Sequence, residues 1–348
     1  MYQTRCSLLI LVGLSLAAQQ SGWRQNLETG ARLKKEGKYR EAEAALMAAR
    51  DQLEAAKPGS ADLGACLNYL GLVRQLLGRY AQAEADLHRA LAIWKAAYGA
   101  QSVEAATALN NLAELDRSTG RDDEARPLLE EALAIWERKL GPDDPKVAAA
   151  LNNLAQCYRA RKTRDPEPLY RRAMAIWEKS AGPESPQVAA VLNNLGAYAS
   201  ERGRIDEAMA LHERALAIRE RTLGSEHPDV AQSFNNLADI YREKGWYGKA
   251  EALDRRAAEV LEKSLGEDSP RLLPTLDNLA YVYRLEGRNE DAEALYRRSL
   301  AIAARAWGQE DGRVAERVRG LATLYRAEGR RTAARKLENA FRAGGQVD

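Results

Sequence analysis

The stretch Leu109-Asn110-Asn111-Leu112-Ala113 indicates a repeat protein, because similar stretches recur along the 348-residue chain. Close copies begin at Leu67, Leu151, Leu192, Phe234 and Leu276, and weaker copies lie around Leu27 and Arg319. Successive copies are 41 or 42 residues apart. A constant period of this length is typical of proteins built from stacked supersecondary units. Eight copies occupy residues 23–342, which leaves no room there for another kind of domain.

Each copy has the pattern of two α-helices. In one copy, Leu237, Ala238 and Tyr241 share one face of a first helix. Gly245 then suits the left-handed turn that ends this helix, and an alanine-rich second helix follows. A helix pair of this size cannot bury its apolar face alone. We therefore expect neighbouring pairs to stack into an all-α solenoid.

The spacing of these residues resembles the tetratricopeptide repeat, and the stretch Leu223–Ala238 resembles the type found in kinesin light chains. The matching residues of one copy are Phe234, Leu237, Ala238, Tyr241, Gly245, Tyr247, Ala250 and Ala257. The resemblance implies a right-handed α-solenoid of about eight 42-residue helix-turn-helix repeats over residues 23–342. It implies protein binding and not a motor role, because no stretch resembles the coiled coil that binds kinesin heavy chains.

Two copies depart from the pattern. The fourth lacks one residue and the glycine in its inter-helix turn, Arg161 to Pro166, where Asp165 is expected to cap a shifted second helix. In the seventh, Pro274 follows Pro270 by four residues and is expected to delay or distort the helix start. Asp or Ser precedes proline at several other first helices and fits an N-cap, whereas His227 fits that position less well.

Composition excludes several classes of protein. The 52 Lys and Arg residues nearly balance the 50 Asp and Glu residues, so the chain is neither a polycation that coats nucleic acid nor an acidic tail protein. No stretch has the roughly 18 consecutive apolar residues of a membrane span. The three Cys and three His residues are scattered, which argues against a zinc cluster or a disulfide scaffold.

Catalytic and cofactor motifs are missing from the sequence. The three histidines, His88, His212 and His227, lie in different copies and at different helical phases. No Ser-His-Asp arrangement, His-Glu-x-x-His motif or glycine-rich phosphate loop occurs. We therefore expect no enzyme activity, no cofactor and no metal site.

The first helices carry columns of polar residues that predict a peptide-binding groove. The asparagine and arginine of each column lie seven residues apart on one helical face, with a variable position between them such as Glu114, Ala197, Asp239 or Tyr281. Asparagine can bind the backbone of an extended peptide, and arginine suits carboxylates. Family resemblance places this face in the concave groove. The predicted peptide-binding residues are Asn110, Asn152, Asn193, Asn235, Arg117, Arg159, Arg242 and Arg284. The alternative is that the asparagines recur in this repeat family without binding a ligand, and that the arginines form an ordinary solvated face.

Two further columns favour a structural role. The second asparagine of each pair, for example Asn111 or Asn153, is turned by about 100° from the groove and is expected to join neighbouring helices through buried hydrogen bonds. Trp94, Trp136 and Trp177 extend an apolar stripe and are expected to pack between repeats, with an exposed partner surface as the alternative.

The termini differ from the repeats. Arg5 precedes an apolar run from Ser7 to Leu16 with small residues behind it, which predicts a signal peptide over residues 1–18. Residues 343–348 are expected to form a disordered tail. The mature protein would then be exported, periplasmic or secreted, and a cytoplasmic regulatory or signalling module is the alternative if residues 1–18 are retained.

Together these observations predict a non-enzymatic scaffold that binds an extended, partly acidic peptide or protein segment, with no nucleic-acid partner and no membrane span. A self-assembling structural solenoid and an enzyme built in the groove are the alternatives. Neither the partner nor the oligomeric state follows from the sequence.

Overall fold

The computed structural model describes residues 22–344, which are helical apart from turns and contain no β-strand in that range. The sixteen α-helices of this range form eight consecutive pairs. The first four pairs contain α1 (22–35), α2 (Tyr39–Ala56), α3 (Ala61–Leu76), α4 (Tyr80–Tyr98), α5 (Val103–Ser118), α6 (Asp122–Leu140), α7 (Pro145–Arg161) and α8 (Glu167–Ala181). The last four pairs contain α9 (Pro186–Glu201), α10 (Ile205–Leu223), α11 (Pro228–Glu243), α12 (Tyr247–Leu265), α13 (Leu273–Leu285), α14 (Asn289–Trp307), α15 (Gly312–Ala327) and α16 (Arg331–Arg342).

The chain groups into two compact units, one ending at Ser180 and one beginning at Ala181. Within each unit, helices that follow one another pack together, as in α3 with α4 and α9 with α10. The first helices of neighbouring pairs also touch, as in α3 with α5 and α9 with α11. This nearest-neighbour packing confirms the predicted all-α solenoid of stacked pairs. The predicted signal peptide, residues 1–18, lies outside the described residues, and so does most of the predicted tail, 343–348.

Small residues set the distance between the two helices of a pair. Gly71 in α3 lies over Leu87 in α4 so closely that a Cβ atom on Gly71 would be 2.6 Å from Leu87 Cγ. Ala83 and Ala90, on the same helix as Leu87, are completely buried. The alanine and glycine positions of the repeat therefore allow close helix contact, as ridge-into-groove packing requires.

The predicted caps are present. Ser185 Oγ accepts a hydrogen bond from Val188 N at 3.4 Å, and Asp144 Oδ1 accepts one from Lys146 N at 2.8 Å. His227 performs the same task, because its Nδ1 accepts a hydrogen bond from Asp229 N at 3.1 Å. The expectation that His227 fits this position less well is wrong, since an unprotonated imidazole nitrogen replaces the cap oxygen.

The two irregular copies have the expected local distortions. In the fourth copy, Asp165 Oδ1 accepts a hydrogen bond from Glu167 N at 3.0 Å at the start of α8. Lys162 takes the place of the missing glycine at a φ of 52°, the one positive φ among the described non-glycine residues. In the seventh copy, Pro270–Leu272 form a 3-10 turn and the α-helix begins only at Leu273.

Candidate functional site

The second unit contains an open pocket of about 430 Å³ on the face built by its first helices. Three successive first helices, α9, α11 and α13, line it, together with one residue of α10. The lining residues are Ala197, Ser200, His212, Asn236, Asp239, Ile240, Arg242, Glu243 and Tyr281. The variable positions between the predicted asparagine and arginine columns, Ala197, Asp239 and Tyr281, thus meet in one pocket.

The pocket has both apolar and charged walls. Half-buried Ala197 supplies apolar surface above the buried Ile240, and Tyr281 is 41% exposed. The Asp239 side chain is 53% exposed, and Glu243 is also exposed. Ser200 Oγ donates a hydrogen bond to Glu243 Oε1 at 3.0 Å across the pocket. An open pocket with this mixture of groups can hold an amphipathic side chain.

Arg242 is the one arginine that lines the pocket, and its side chain is only 10% exposed. Its guanidinium is bonded to Asp239 and, through Nη1, to the Oδ2 atom of Asp254 at 2.8 Å. Asp254 is fully buried. Burial lowers the pKa of Arg242 and raises the pKa of Asp254 to about 7, although each group opposes the shift of the other.

The predicted peptide-binding asparagines are less accessible than expected. Asn110, Asn152 and Asn193 are 6%, 8% and 4% exposed, and Asn235 is half-buried. Asn193 Nδ2 donates to Ser233 Oγ at 3.1 Å, and Asn235 Nδ2 donates to Thr275 Oγ1 at 2.8 Å. These side chains are therefore mostly withdrawn from solvent, and the amides of Asn193 and Asn235 bind the next first helix. None of the four asparagines lines the pocket.

In the first unit, Asn68 and the two consecutive asparagines of α5 and of α7 form one buried ladder. Asn153 Nδ2 donates to Asn110 Oδ1 at 3.1 Å, and Asn111 Nδ2 donates to Asn68 Oδ1 at 2.7 Å. Asn110 Nδ2 connects the two steps through Asn111 Oδ1 at 3.4 Å. The predicted structural role of the second asparagine is confirmed for Asn111 and Asn153, and the first asparagine shares it.

The predicted arginines mostly have partners inside the chain. Arg117 Nη2 donates to Gln156 Oε1 at 2.6 Å, and Arg117 also lies 3.7 Å from Asp122. Arg159 is half-buried and has interactions within the chain. Arg284 is half-buried, with its guanidinium 5.1 Å from the ring centre of Tyr281. Among the four predicted arginines, the structure places Arg242 in the pocket wall and Arg284 beside a pocket residue.

Two buried polar residues, His212 and Asp254, lie beneath this face and were not among the predicted site residues. At one position of the second helix, Leu87 and Leu129 of the first unit are replaced by His212 and Asp254 in the second unit. His212 is 2% exposed, and its Nδ1 donates to Asn193 Oδ1 at 2.9 Å because that oxygen can only accept. The signal was present in the alignment of the copies as polar residues at a core position.

The tryptophan column is buried, as predicted, whereas its packing between repeats stays a prediction. Trp94, Trp136 and Trp177 are 6%, 2% and 7% exposed. Trp94 Nε1 donates to Ala61 O, and Trp136 Nε1 donates to Val103 O, both at 3.3 Å. Each of these bonds joins the two helices of one pair, so Trp94 and Trp136 connect the helices of their own repeat. The alternative of an exposed aromatic surface is wrong.

Residues 22–344 contain no group of three or more His, Cys, Asp and Glu side chains placed to hold a metal ion. Within the same range, every helix is too short or too polar to cross a bilayer.

Comparison with known proteins identifies the repeat. Models of the tetratricopeptide repeat match residues 62–135, 104–165 and 229–305, and a second model of the same description matches 147–187 and 188–229. No protein with a curated description matches the chain.

Three solved structures illustrate the likeness. A putative kinesin light chain from Podosopora anserina with nearly identical TPR-like repeats is 29% identical, with coverage of 57% of this chain and 95% of that chain and a TM-score of 0.43. BtubC (BKLC) from P. vanneervenii is 28% identical, with coverage of 70% and 92% and a TM-score of 0.47. Aspartyl phosphate phosphatase F from Bacillus subtilis is 16% identical, with coverage of 85% and 73% and a TM-score of 0.58, a likeness of fold alone. The repeat models span more than half of the chain, which belongs to the tetratricopeptide repeat family.

Proposed function

We propose that this chain is a non-enzymatic scaffold that binds an extended peptide or protein segment on the face formed by its first helices. The observation that carries the proposal is the open pocket of the second unit, where three successive first helices present Ala197, Asp239 and Tyr281. A tetratricopeptide array is typical of protein–protein interaction. Tyr281 supplies the rigid aromatic surface that commonly contributes most to such binding.

The acidic character of the ligand stays a prediction. The arginine column is the basis for an acidic ligand, but Arg242 and Arg117 already have carboxylate neighbours inside the chain. An acidic ligand would have to replace those neighbours or share the arginines with them. The direct role predicted for the asparagines likewise requires that Asn193 or Asn235 exchange a hydrogen bond within the chain for one to the peptide.

Calorimetry on a peptide selected from a random library by the purified chain tests the pocket. Tyr281→Ala should weaken binding by about tenfold, which equals ~1.4 kcal/mol. Tyr98→Ala is the matched control, because Tyr98 is also an exposed tyrosine, 53% exposed, and lies in the first unit. Equal affinities of Tyr281→Ala and wild type for every selected peptide would refute the pocket as the binding site.

Asn235→Ala and Arg242→Glu extend the same test to the predicted columns. Both variants should weaken the peptide, the first with little change in salt dependence and the second with a large one. Because Arg242 is paired with buried Asp254, thermal melting must accompany this variant. Glu243→Gln tests the charge of the groove without removing either member of that pair. Catalysis in the groove and self-assembly are the alternatives, and sedimentation of the purified chain tests the latter.

We also propose export of the mature chain, on the basis of the sequence pattern of residues 1–18. Amino-terminal sequencing of native material should begin near Ala18 or Gln19. Recovery of Met1 from the cytosol would support the cytoplasmic regulatory module instead.

A further inference from the structure

The pocket of the second unit carries an excess of negative charge. Asp239 and Glu243 stand at its rim with exposed carboxylates, and Asp254 lies buried behind it. Arg242 is the one cation in the wall, and both of its described carboxylate partners, Asp239 and Asp254, belong to this group. With Asp254 protonated, the two lining carboxylates still face one lining guanidinium. A second guanidinium, that of Arg284, is not part of the lining and lies 5.1 Å from the ring centre of Tyr281.

The positive charge of Arg242 is directed away from a ligand. Its side chain is 10% exposed, and Nη1 lies 2.8 Å from Asp254 Oδ2. Glu243, in contrast, is exposed, and Ser200 Oγ is its described hydrogen-bond donor, at 3.0 Å. A ligand entering the pocket therefore meets carboxylate oxygens before it meets the guanidinium.

The remaining walls suit a long aliphatic side chain with a charged end. Half-buried Ala197 offers apolar surface for methylene groups, and Tyr281, which is 41% exposed, offers the part of its aromatic ring that Arg284 leaves open. Cations bind over such rings, and lysine or arginine stems pack on apolar surface while the charged group stays among polar atoms. An acidic side chain would meet unbalanced negative charge in the same space.

We propose that this pocket binds a lysine or arginine side chain of the bound segment, with Asp239 and Glu243 as the charge-recognising residues. The inference rests on the proposed function and names the residue class that the pocket selects. It is compatible with a segment that is acidic elsewhere, because the pocket takes a single side chain.

The test is a double-mutant cycle on peptides selected from a random library by the full chain. Each lysine or arginine of the tightest peptide is replaced by glutamine, one at a time. At one position the replacement should weaken binding to wild type by about tenfold, ~1.4 kcal/mol, and should change binding to Asp239→Asn/Glu243→Gln by less than about twofold. Glu290→Gln, which removes an exposed carboxylate outside the pocket, should retain the full tenfold effect.

Each outcome decides a different claim. If Tyr281→Ala weakens the peptide but no lysine or arginine position shows the cycle, the pocket binds peptides and the cationic preference is wrong. If neither Tyr281→Ala nor the double variant changes affinity, the proposed function fails together with this inference. Circular dichroism checks the fold of the double variant, and Glu243→Gln alone gives the same cycle if that variant unfolds.

Discussion

Asp254 illustrates how one substitution at a repeated position changes the chemistry of a copy. Two of the corresponding residues of the first unit, Leu87 and Leu129, are completely buried leucines. In the second unit, Asp254 is equally buried and is paired with Arg242 of the preceding helix. Removing only one member of such a pair leaves a buried uncompensated charge, so the two residues act as a unit.

The raised pKa of Asp254 predicts a pH-dependent stability. Burial raises the pKa to about 7 from an ordinary value of 3.8, so between these values the folded state holds a proton that the unfolded state has released. Stability should therefore fall as pH rises from about 4 to about 7 and then level off. Urea unfolding at about pH 5 and about pH 8 should show a smaller loss in Asp254→Asn than in wild type. The exposed control Asp268→Asn should retain the wild-type trend, and identical trends in all three proteins would contradict the assignment.

The asparagine ladder predicts a stability role for Asn110. Asn110→Ala removes the acceptor of Asn153 and the donor to Asn111, both buried, and should destabilise the fold by about 1–3 kcal/mol. In a double-mutant cycle, Asn110→Ala combined with Asn153→Ala should cost less than the sum of the single changes. Strict additivity in urea unfolding would show that the two amides do not interact.

At the scale of single elements, helix ends and helix contacts follow local rules. Side chains cap the first helices α7, α9 and α11, including the unexpected imidazole of His227. Glycines with positive φ end several helices, and Lys162 takes that conformation where the glycine is missing. These features depend on neighbours close in sequence, which is why the repeat pattern predicted most of them.

Close contact between paired helices predicts opposite effects for two glycine substitutions. Gly71→Ala places a methyl group 2.6 Å from Leu87 Cγ and should destabilise the protein by about 1–3 kcal/mol through overpacking. Gly248→Ala lies within α12, where the new Cβ meets no atom within 4 Å, and should stabilise it by about 0.5–1 kcal/mol through helix propensity. Thermal melting shows whether each variant is more or less stable than wild type. Stabilisation by Gly71→Ala would contradict the close contact between Gly71 and Leu87.

The irregular turn of the fourth copy predicts a gain from glycine. Lys162 has a φ of 52°, a conformation that costs roughly 1–2 kcal/mol for a residue with a Cβ atom. Lys162→Gly should relieve this cost, and the greater freedom of glycine in the unfolded chain offsets about 0.4–1 kcal/mol of the gain. A small rise in melting temperature is expected, with exposed Lys179→Gly, inside α8, as the destabilising control. A fall in melting temperature for Lys162→Gly would contradict the turn geometry.

At the scale of the whole molecule, the separation of repeats along the chain predicts that Cys66 and Cys157 do not form a disulfide with each other. Cys66 and Cys157 are both free and buried in helices of the second and fourth pairs. Burial raises the pKa of the Cys66 thiol to about 12 and that of Cys157 to about 11, so neither forms a reactive thiolate at neutral pH. Both should resist alkylation in the native protein and react after denaturation. A Cys66–Cys157 link in non-reducing peptide mapping would contradict the stacked-pair architecture.

The fold class, the period, most of the caps and the sites of irregularity follow from the sequence alone, because each depends on residues a few positions apart or on repetition of one pattern. The sequence also identifies the helical face that contains the pocket. Which side chains are accessible on that face depends on tertiary packing. Asn193 and Asn235 bind Ser233 and Thr275 from the next copy, about 40 residues away, and Arg242 binds Asp254. Such partners lie on neighbouring helices, and their choice depends on packing distances that helical periodicity does not specify.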